Sequence, residues 1–186
     1  MSNVLIISGS ARKEGRTPYL AIEGSNILMM KHQTVKYFSL HDEELPVFNG
    51  DEEQDYLESV RKLRDMARKA NGFIIFTPEY HNGMSGALKN ALDYLSKEEF
   101  ENKPVAICSV SGGGKGGINA LNNLRLVLRG LQAHVLPQQV IADPSDFNVD
   151  NTLINKEIKD RLSLLIKELI IMLRVKSELY KGITIF

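Results

Sequence analysis

The sequence predicts a three-layer, doubly wound α/β domain built on a five-stranded parallel sheet. Short apolar runs rich in β-branched residues alternate with longer amphipathic segments, which is typical of repeated βα units. The apolar runs are continuous, as expected for strands that helices cover on both faces. At 186 residues without a long linker, the chain is interpreted as a single domain over residues 1–186.

The first strand, the first helix and an outer strand occupy the amino-terminal part of the chain. Asn3–Ser8 is an unbroken apolar run and is predicted as the first strand. A helix follows with Thr17 as its N-cap and ends near Met30, and Gly24 within it is expected to be a weak point. Polar and apolar residues alternate over 34–38, which predicts a second strand at the edge of the sheet.

The third strand lies between two helices. A helix over about 55–70 is indicated by a stripe at helical spacing, formed by Tyr56, Val60, Leu63, Ala67 and Ala70. The third strand covers residues 72–76, and a polar and aromatic turn is expected from Thr77 onward. Ser85 is a suitable N-cap for the next helix. The long connection before this unit carries Phe48, which is expected in a lid, in a subunit contact or packed on its own sheet.

The last two strands and the last helix complete the expected topology. Residues 105–110 give the fourth strand, and a helix ending near Gly130 follows it. The fifth strand, or a pair of short strands, covers residues 135–141 around Pro137. A final helix is indicated by an apolar stripe made of Ile154, Ile158, Leu162, Leu165, Leu169 and Met172. The tail 175–186 receives no assignment.

Charge and hydropathy exclude several classes of function. Lysine plus arginine equals aspartate plus glutamate at 23 each, so no net field attracts nucleic acid or an anionic membrane. The apolar runs are far shorter than the ~20 residues needed to cross a bilayer, and the start of the chain has no basic signal-peptide region. A cytoplasmic protein without nucleic-acid or membrane partners is expected.

Cysteine and histidine do not form a pattern that would bind a metal. Cys108 is the only cysteine and lies in a predicted strand, so it is interpreted as a buried structural residue. A phosphatase loop of the Cys-x5-Arg type is excluded because position 114 is Gly114. The four histidines lack the paired spacing of a helical metal site. No metal is expected.

The loop after the first strand has the groups that bind a phosphate. Hydroxyls and guanidinium groups accompany the amides at the helix start, and they belong to Ser10, Arg12, Arg16 and Thr17. The loop has neither a P-loop lysine nor G-x-G-x-x-G, so a monophosphate fits better than a nucleotide fingerprint. A merely solvated basic loop is the open alternative.

Two further strand ends carry candidate ligand loops. The turn after the third strand holds Pro78, Glu79, Tyr80, His81 and Asn82, although such residues also reverse a chain without binding anything. The loop after the fourth strand begins with Ser111, Gly112, Gly113 and Gly114. Its G-x-G-x-x-G string lacks the βαβ context of a dinucleotide site, so a flat ligand lying on bare backbone is preferred over simple flexibility.

These loops lie side by side at the carboxyl edge of the sheet if the strand order is 2-1-3-4-5, the flavodoxin-like order. Ligands bind at the carboxyl ends of parallel strands, and this order places an FMN site at the switch point between strands 1 and 3. A phosphate loop, an aromatic turn and a glycine loop would then share one crevice. That combination indicates a phosphorylated flat cofactor.

Three motifs in chain order carry a resemblance to a known family. They are Gly9-Ser10-Ala11-Arg12 with Thr17, Thr77-Pro78-Glu79-Tyr80 with Leu88-Lys89-Asn90, and Ser111-Gly112-Gly113 with Gly116-Gly117. Over residues 4 to about 143 the chain resembles the NADPH-dependent FMN reductases, and within them it is most similar to bacillus-type FMN-dependent NADPH azoreductases. The family usually has Asn where this chain has His81 and Pro where it has Ser85.

The resemblance implies the role of each candidate residue. Ser10, Arg12 and Thr17 would hold the FMN phosphate, with Arg16 as an addition. The isoalloxazine ring would lie between two sets of residues, Pro78, Glu79, Tyr80, His81 and Asn82 on one side and Ser111, Gly112, Gly113 and Gly114 on the other. No side chain is expected to act as a catalytic acid or base, because the flavin carries the redox chemistry.

The resemblance also implies an activity and an assembly. Hydride would pass from NADPH through FMN to an azo compound or a quinone in ping-pong order, in a homodimer or homotetramer with the helix after Ser85 at the contact. Three alternatives stay open: a quinone, chromate or nitro reductase on the same scaffold, a flavodoxin-like electron carrier, and a non-catalytic α/β binding module. The neutral net charge disfavours the carrier, since such proteins dock through an acidic face.

Overall fold

Strands and helices alternate along the chain in the computed structural model, which describes residues 2–112 and 116–182. The strands are β1 (Asn3–Ser8), β2 (Thr34–Ser39), β3 (Gly72–Tyr80), β4 (Gly83–Met84), β5 (Pro104–Val110) and β6 (His134–Ala142). The α-helices are α1 (Arg16–Met30), α2 (Glu58–Lys69), α3 (Gly86–Asp93), α4 (Lys97–Phe100), α5 (Ile118–Gly130) and α6 (Lys156–Gly182). Short 3₁₀ helices cover Glu52–Tyr56 and Pro144–Asp146.

The main sheet has the strand order β2-β1-β3-β5-β6, with every neighbouring pair parallel. The two-residue strand β4 lies outside this path and pairs antiparallel with β3. With β4 set aside, the order is the predicted 2-1-3-4-5, so the flavodoxin-like fold is confirmed. Pro137 does not split the last strand, because a register shift between Val105 and Ile107 of β5 accommodates the irregularity.

Helices cover both faces of the sheet and give the three predicted layers. Side chains of successive strand residues point to opposite faces, so Val4 and Ile6 join a core cluster with α1 and α6. Leu5 and Ile7 join the second cluster, with α2, α3 and α5. The predicted stripe positions Val60, Leu63, Ala67, Ala70, Ile158, Leu162, Leu165 and Leu169 are all buried.

Three predicted helix boundaries are wrong at the level of single residues. Residues 52–56 form a 3₁₀ helix and Leu57 is extended, so Tyr56 is turned to solvent and is 75% exposed. Helix α1 begins at Arg16 rather than after Thr17, and Thr17 lies inside its first turn. In the last helix the buried stripe continues to Leu173, so the predicted stripe residue Met172 is partly exposed. Ile154, also predicted in this stripe, lies before the start of the helix.

Gly24 is a packing residue and not the expected weak point of α1. A Cβ built at this position would lie 2.9 Å from Cζ of Phe76, which is itself fully buried in β3. The missing side chain therefore lets α1 approach the sheet closely. Local propensity alone does not reveal this requirement, because Phe76 is distant in sequence.

The burial of Cys108 agrees with its interpretation as a structural residue. Its thiol lies in the centre of β5 with no exposed surface, and burial raises the pKa of the thiol. None of the helices within residues 2–112 and 116–182 is long and apolar enough to cross a membrane.

Lys103 makes stability depend on pH at the amino-terminal edge of the sheet. Its ammonium donates to the carbonyls of Ala67 (3.0 Å) and Arg68 (3.1 Å), which end α2. Burial, together with repulsion from Lys176, lowers the pKa of Lys103 from 10.5 to about 8. Between these two pH values the unfolded chain keeps a proton that the folded chain has released, so the free energy of unfolding rises with pH.

We therefore expect the wild-type protein to gain stability relative to Lys103→Met as pH increases from 8 to 10. Urea denaturation of both proteins at several pH values measures this difference. A difference that stays constant across the range would contradict the assignment to Lys103.

Candidate functional site

The junction loops after β1, β3 and β5 lie at one edge of the sheet. Strand β1 ends at Ser8, which is in register with Phe76 of β3. One residue further along β3, Thr77 is in register with Ser109 of β5. The amide of Gly9 donates to the carbonyl of Phe76 at 2.7 Å, so the first loop starts directly against β3. The strand ends that carry these three loops therefore lie side by side, as the predicted strand order requires.

The first loop has the properties of an anion site. Ser10 and Thr17 are buried, Arg12 is exposed, and the amide of Arg12 donates to Oγ of Ser10 at 3.3 Å. Nε of Arg16 is buried and has no hydrogen-bond partner among the described residues. The first turn of α1 contains no acidic residue, and no side chain caps its N-terminus. Free amides and a buried, unpaired guanidinium nitrogen are the groups that a phosphate needs.

The predicted turn after β3 begins later than expected. Residues 77–80 continue β3, and the turn itself is His81-Asn82, with φ values of 50° and 64°. Two central residues with positive φ make a type I′ turn, which joins β3 to β4 in a tight hairpin. Pro78 is tolerated within β3 because β1 has already ended, so only β5 pairs with it.

The side chains of the hairpin differ in their exposure to solvent. Pro78 is buried, while Tyr80, His81 and Asn82 are exposed. The carboxylate of Glu79 turns toward α5, where Oε2 accepts a hydrogen bond from the amide of Ala120 at 2.9 Å. The hairpin therefore has a buried base at Pro78 and an exposed rim at residues 80–82.

Ser85 ties the start of α3 to the first loop. Its hydroxyl caps α3 by accepting from the amide of Leu88 at 3.0 Å, as predicted, and donates a short hydrogen bond to the carbonyl of Gly9. The amide of Ser85 donates to Oγ1 of Thr77 at 3.3 Å. The cap was predictable from the residue type, but the contact with Gly9 spans 76 residues and leaves no signal in the sequence.

The three helix starts at this edge are not equivalent. Ser85 caps α3, and Glu79 occupies the start of α5. Only α1, among these three helices, presents an amino end without a side-chain acceptor. The arrangement therefore directs an anionic group to the first loop and not to the start of α3.

The glycine loop is described at its two ends. Ser111 is buried and Gly112 is exposed, whereas the predicted site residues Gly113 and Gly114 lie outside the described residues. A Cβ at Gly116 would lie 1.7 Å from Oγ of Ser111, so only glycine fits where the chain returns toward α5. Oγ of Ser109, at the end of β5, is buried and has no partner within the described ranges.

Phe48 packs on its own chain. Its ring meets Tyr94 edge to face, with 5.1 Å between centroids, and its amide donates to Oδ1 of Asn90 at 2.8 Å. Nδ2 of Asn90 donates to the carbonyl of Pro46 at 2.8 Å, and the hydroxyl of Tyr94 donates to the same carbonyl at 3.0 Å. The loop is thus fastened to α3.

Comparison with known proteins gives concordant matches. The family model described as NADPH-dependent FMN reductase matches residues 2–147. The chain is 42% identical to an NADPH azoreductase of Bacillus sp. (strain OY1-2) over 182 residues, which cover 96% of each protein. It is 30% identical to an FMN-dependent NADPH-azoreductase of Staphylococcus saprophyticus, with 89% of this chain and 92% of that protein covered.

Solved structures show the same fold. The flavoenzyme NAD(P)H:acceptor oxidoreductase FerB of Paracoccus denitrificans superposes with a TM-score of 0.79 at 22% identity, covering 94% of this chain and 98% of FerB. A flavodoxin from the domain Archaea superposes with a TM-score of 0.66 at 13% identity, covering 94% and 99% of the two chains.

Proposed function

This chain belongs to the NADPH-dependent FMN reductase family, and from that premise we propose that it reduces azo compounds and quinones with NADPH in ping-pong order. Membership of the family gives the class of enzyme, an NAD(P)H-dependent oxidoreductase, and its cofactors, FMN and NADPH. The azo acceptor is inferred from relatives named as azoreductases at 42% and 30% identity. The single observation that carries the proposal is the convergence of three loops beside an uncapped helix start.

We assign the FMN phosphate to Ser10, Arg12, Arg16 and Thr17. Two observations support this assignment: Nε of Arg16 is buried without a partner, and the start of α1 has neither a cap nor an acid. A phosphate dianion would satisfy both features, since it accepts from amides and guanidinium groups and opposes the helix dipole.

We assign the isoalloxazine ring to the crevice between the hairpin and the glycine loop. Residues 78–82 would line one side of the ring, and Ser111 and Gly112 would line the other together with Gly113 and Gly114, which lie outside the described residues. Support comes from the tight type I′ turn, which fixes the hairpin, and from the register of β3 and β5, which brings the two walls to adjacent strand ends. Backbone amides at such a wall stabilise negative charge without having to reorganise.

When bound, FMN supplies the redox chemistry, a two-electron exchange first with NADPH and then with the acceptor. The residues of this chain bind the flavin, orient it and shield it from water. The first loop fixes one end of the ligand, the buried base of the hairpin at Pro78 limits access of water, and exposed Tyr80 and His81 stand where an acceptor would enter. No side chain needs to supply a proton from a dedicated acid in this scheme.

We also propose a homodimer or homotetramer with α3 at the contact. Val47 and Phe48, which the loop carries onto α3, are 81% and 40% exposed. Apolar side chains exposed together on a fastened loop are typical of a protein contact surface.

Anaerobic titration of the FMN-loaded protein tests the proposed function. We expect one equivalent of NADPH to bleach the flavin, and a quinone or an azo dye to restore its colour. Complete cleavage of an azo bond takes four electrons and so two NADPH, against one NADPH for a quinone. Failure to take up FMN would leave only a binding module, and bound FMN that NADPH does not bleach would indicate an electron carrier instead.

A further inference from the structure

We infer that Glu79 is a positioning residue, which anchors the start of α5 to the hairpin and holds a negative charge at the ring end of the crevice. This inference deepens the proposed function and rests on it for its redox consequence. The anchoring itself depends only on contacts between residues of this chain.

The backbone of Glu79 lies in the hairpin, but its carboxylate contacts the start of α5. In β3 its side chain follows Phe73, Ile75 and Thr77 onto the face that α2, α3 and α5 cover. Oε2 lies 2.9 Å from the amide of Ala120, the third residue of α5. An acceptor at this position satisfies an amide that has no partner within the helix, and its charge opposes the positive end of the helix dipole.

Helix α5 lacks any such group of its own. Its N-cap is Gly117, which has no side chain, and its first turn contains no acidic residue. Glu79, which is 41 residues away from Ala120 in the sequence, therefore caps α5. Ser85 caps α3, and α1 has no capping side chain. The phosphate end of the proposed crevice therefore has the positive, uncapped start of α1, and the ring end has the negative carboxylate of Glu79.

A second side chain of the hairpin supports the same anchor. Oδ1 of Asn82 accepts from Nδ2 of Asn119 at 3.0 Å, so two consecutive residues of α5 are held, one by strand β3 and one by the turn of the hairpin. The returning chain passes close by, since a Cβ at Gly116 would lie 3.5 Å from Oε1 of Glu79. The hairpin thus sets where the chain enters α5, and with it one end of the glycine loop.

The anchor and the charge can be separated by substitution. Glu79→Gln keeps an oxygen that accepts from the amide of Ala120 but removes the negative charge. Glu79→Leu removes both. A negative charge beside a flavin disfavours its reduction, so loss of the charge alone is expected to shift the midpoint potential to a more positive value.

Amide hydrogen exchange of the apoprotein tests the anchor without any cofactor. In Glu79→Leu the amide of Ala120 should exchange about tenfold faster, which corresponds to the loss of one strong cap. In Glu79→Gln it should exchange near the wild-type rate. Glu101→Gln, an exposed acid at the opposite edge of the sheet, is the matched control and should change nothing. Wild-type exchange at Ala120 in Glu79→Leu would overturn the inference.

Redox titration and FMN binding then test the charge. Glu79→Gln should show the more positive potential, while Glu79→Leu should bind FMN about tenfold more weakly than Glu79→Gln. An unchanged potential in Glu79→Gln overturns the assigned role of the charge. If the wild-type protein takes up no FMN, the proposed function fails while the exchange experiment still decides the anchor.

Asn82→Gly provides a second variant in case Glu79→Leu does not fold. Glycine adopts the φ of +64° at this position freely, so the turn is preserved while the contact with Asn119 is lost. Exchange at the start of α5 should increase in this variant, because the contact that holds Asn119 is lost. Unchanged exchange there would count against the anchor.

Discussion

Replacement of Arg16 by methionine is expected to weaken FMN binding about 10- to 100-fold, because each hydrogen bond to a charged group contributes ~1.5–3 kcal/mol. Nε of Arg16 is buried in the first loop without a partner, and a dianion at the start of α1 would pair with it. Methionine retains most of the apolar stem, so the packing of the loop should survive. Flavin fluorescence titration of the apoprotein measures the dissociation constant.

Riboflavin, which lacks the phosphate, is the matched ligand for this experiment. Its affinity should be the same for wild type and Arg16→Met, since the lost interaction involves only the phosphate. Arg129→Met, which removes an exposed arginine from the last turn of α5, controls for the change of net charge. Equal losses for FMN and riboflavin would show that Arg16 supports the fold of the loop and does not bind the phosphate.

Replacement of Ser85 by alanine is expected to lower the free energy of unfolding by about 2–4 kcal/mol. The hydroxyl caps α3 and also donates to the carbonyl of Gly9, and both partners are buried. Loss of an N-cap costs ~1 kcal/mol, and a buried carbonyl left without its donor adds ~1–3 kcal/mol. For a chain of this length the melting temperature should fall by about 5–15 °C.

Ser96→Ala is the control for the capping contribution. Ser96 caps the short helix α4 by accepting from the amide of Glu98 at 3.1 Å, and its hydroxyl donates to Oε2 of Glu99 at 3.0 Å, but it is exposed and makes no contact with the first loop. Because Oε2 of Glu99 keeps the amide of Ser96 as a donor at 2.8 Å, loss of the hydroxyl should cost only ~1 kcal/mol. If the two alanine variants melt at the same temperature, the contact between Ser85 and Gly9 contributes nothing to stability, contrary to our expectation.

Local pattern was sufficient for the core and failed at element boundaries. The stripes on α2 and α6 and the continuous strands β1 and β5 follow from hydrophobic periodicity, which depends only on neighbouring residues. By its spacing Tyr56 belongs to the same apolar stripe as Val60. The extended backbone of Leu57 nevertheless precedes the helix and leaves Tyr56 exposed to solvent. Pro78 resembles a turn residue, but the end of β1 lets it remain in β3.

The sequence by itself determined the main alternation of strands and helices, the buried positions and the polar or glycine-rich loops after β1, β3 and β5, because residue type and spacing encode each of these locally. The tertiary structure alone decided which helix start is left without a capping side chain. Ser85 reaches Gly9 over 76 residues and Glu79 reaches Ala120 over 41, so α3 and α5 are capped while α1 is left open. Contacts at such separations depend on how the sheet is assembled, and no short-range pattern records them.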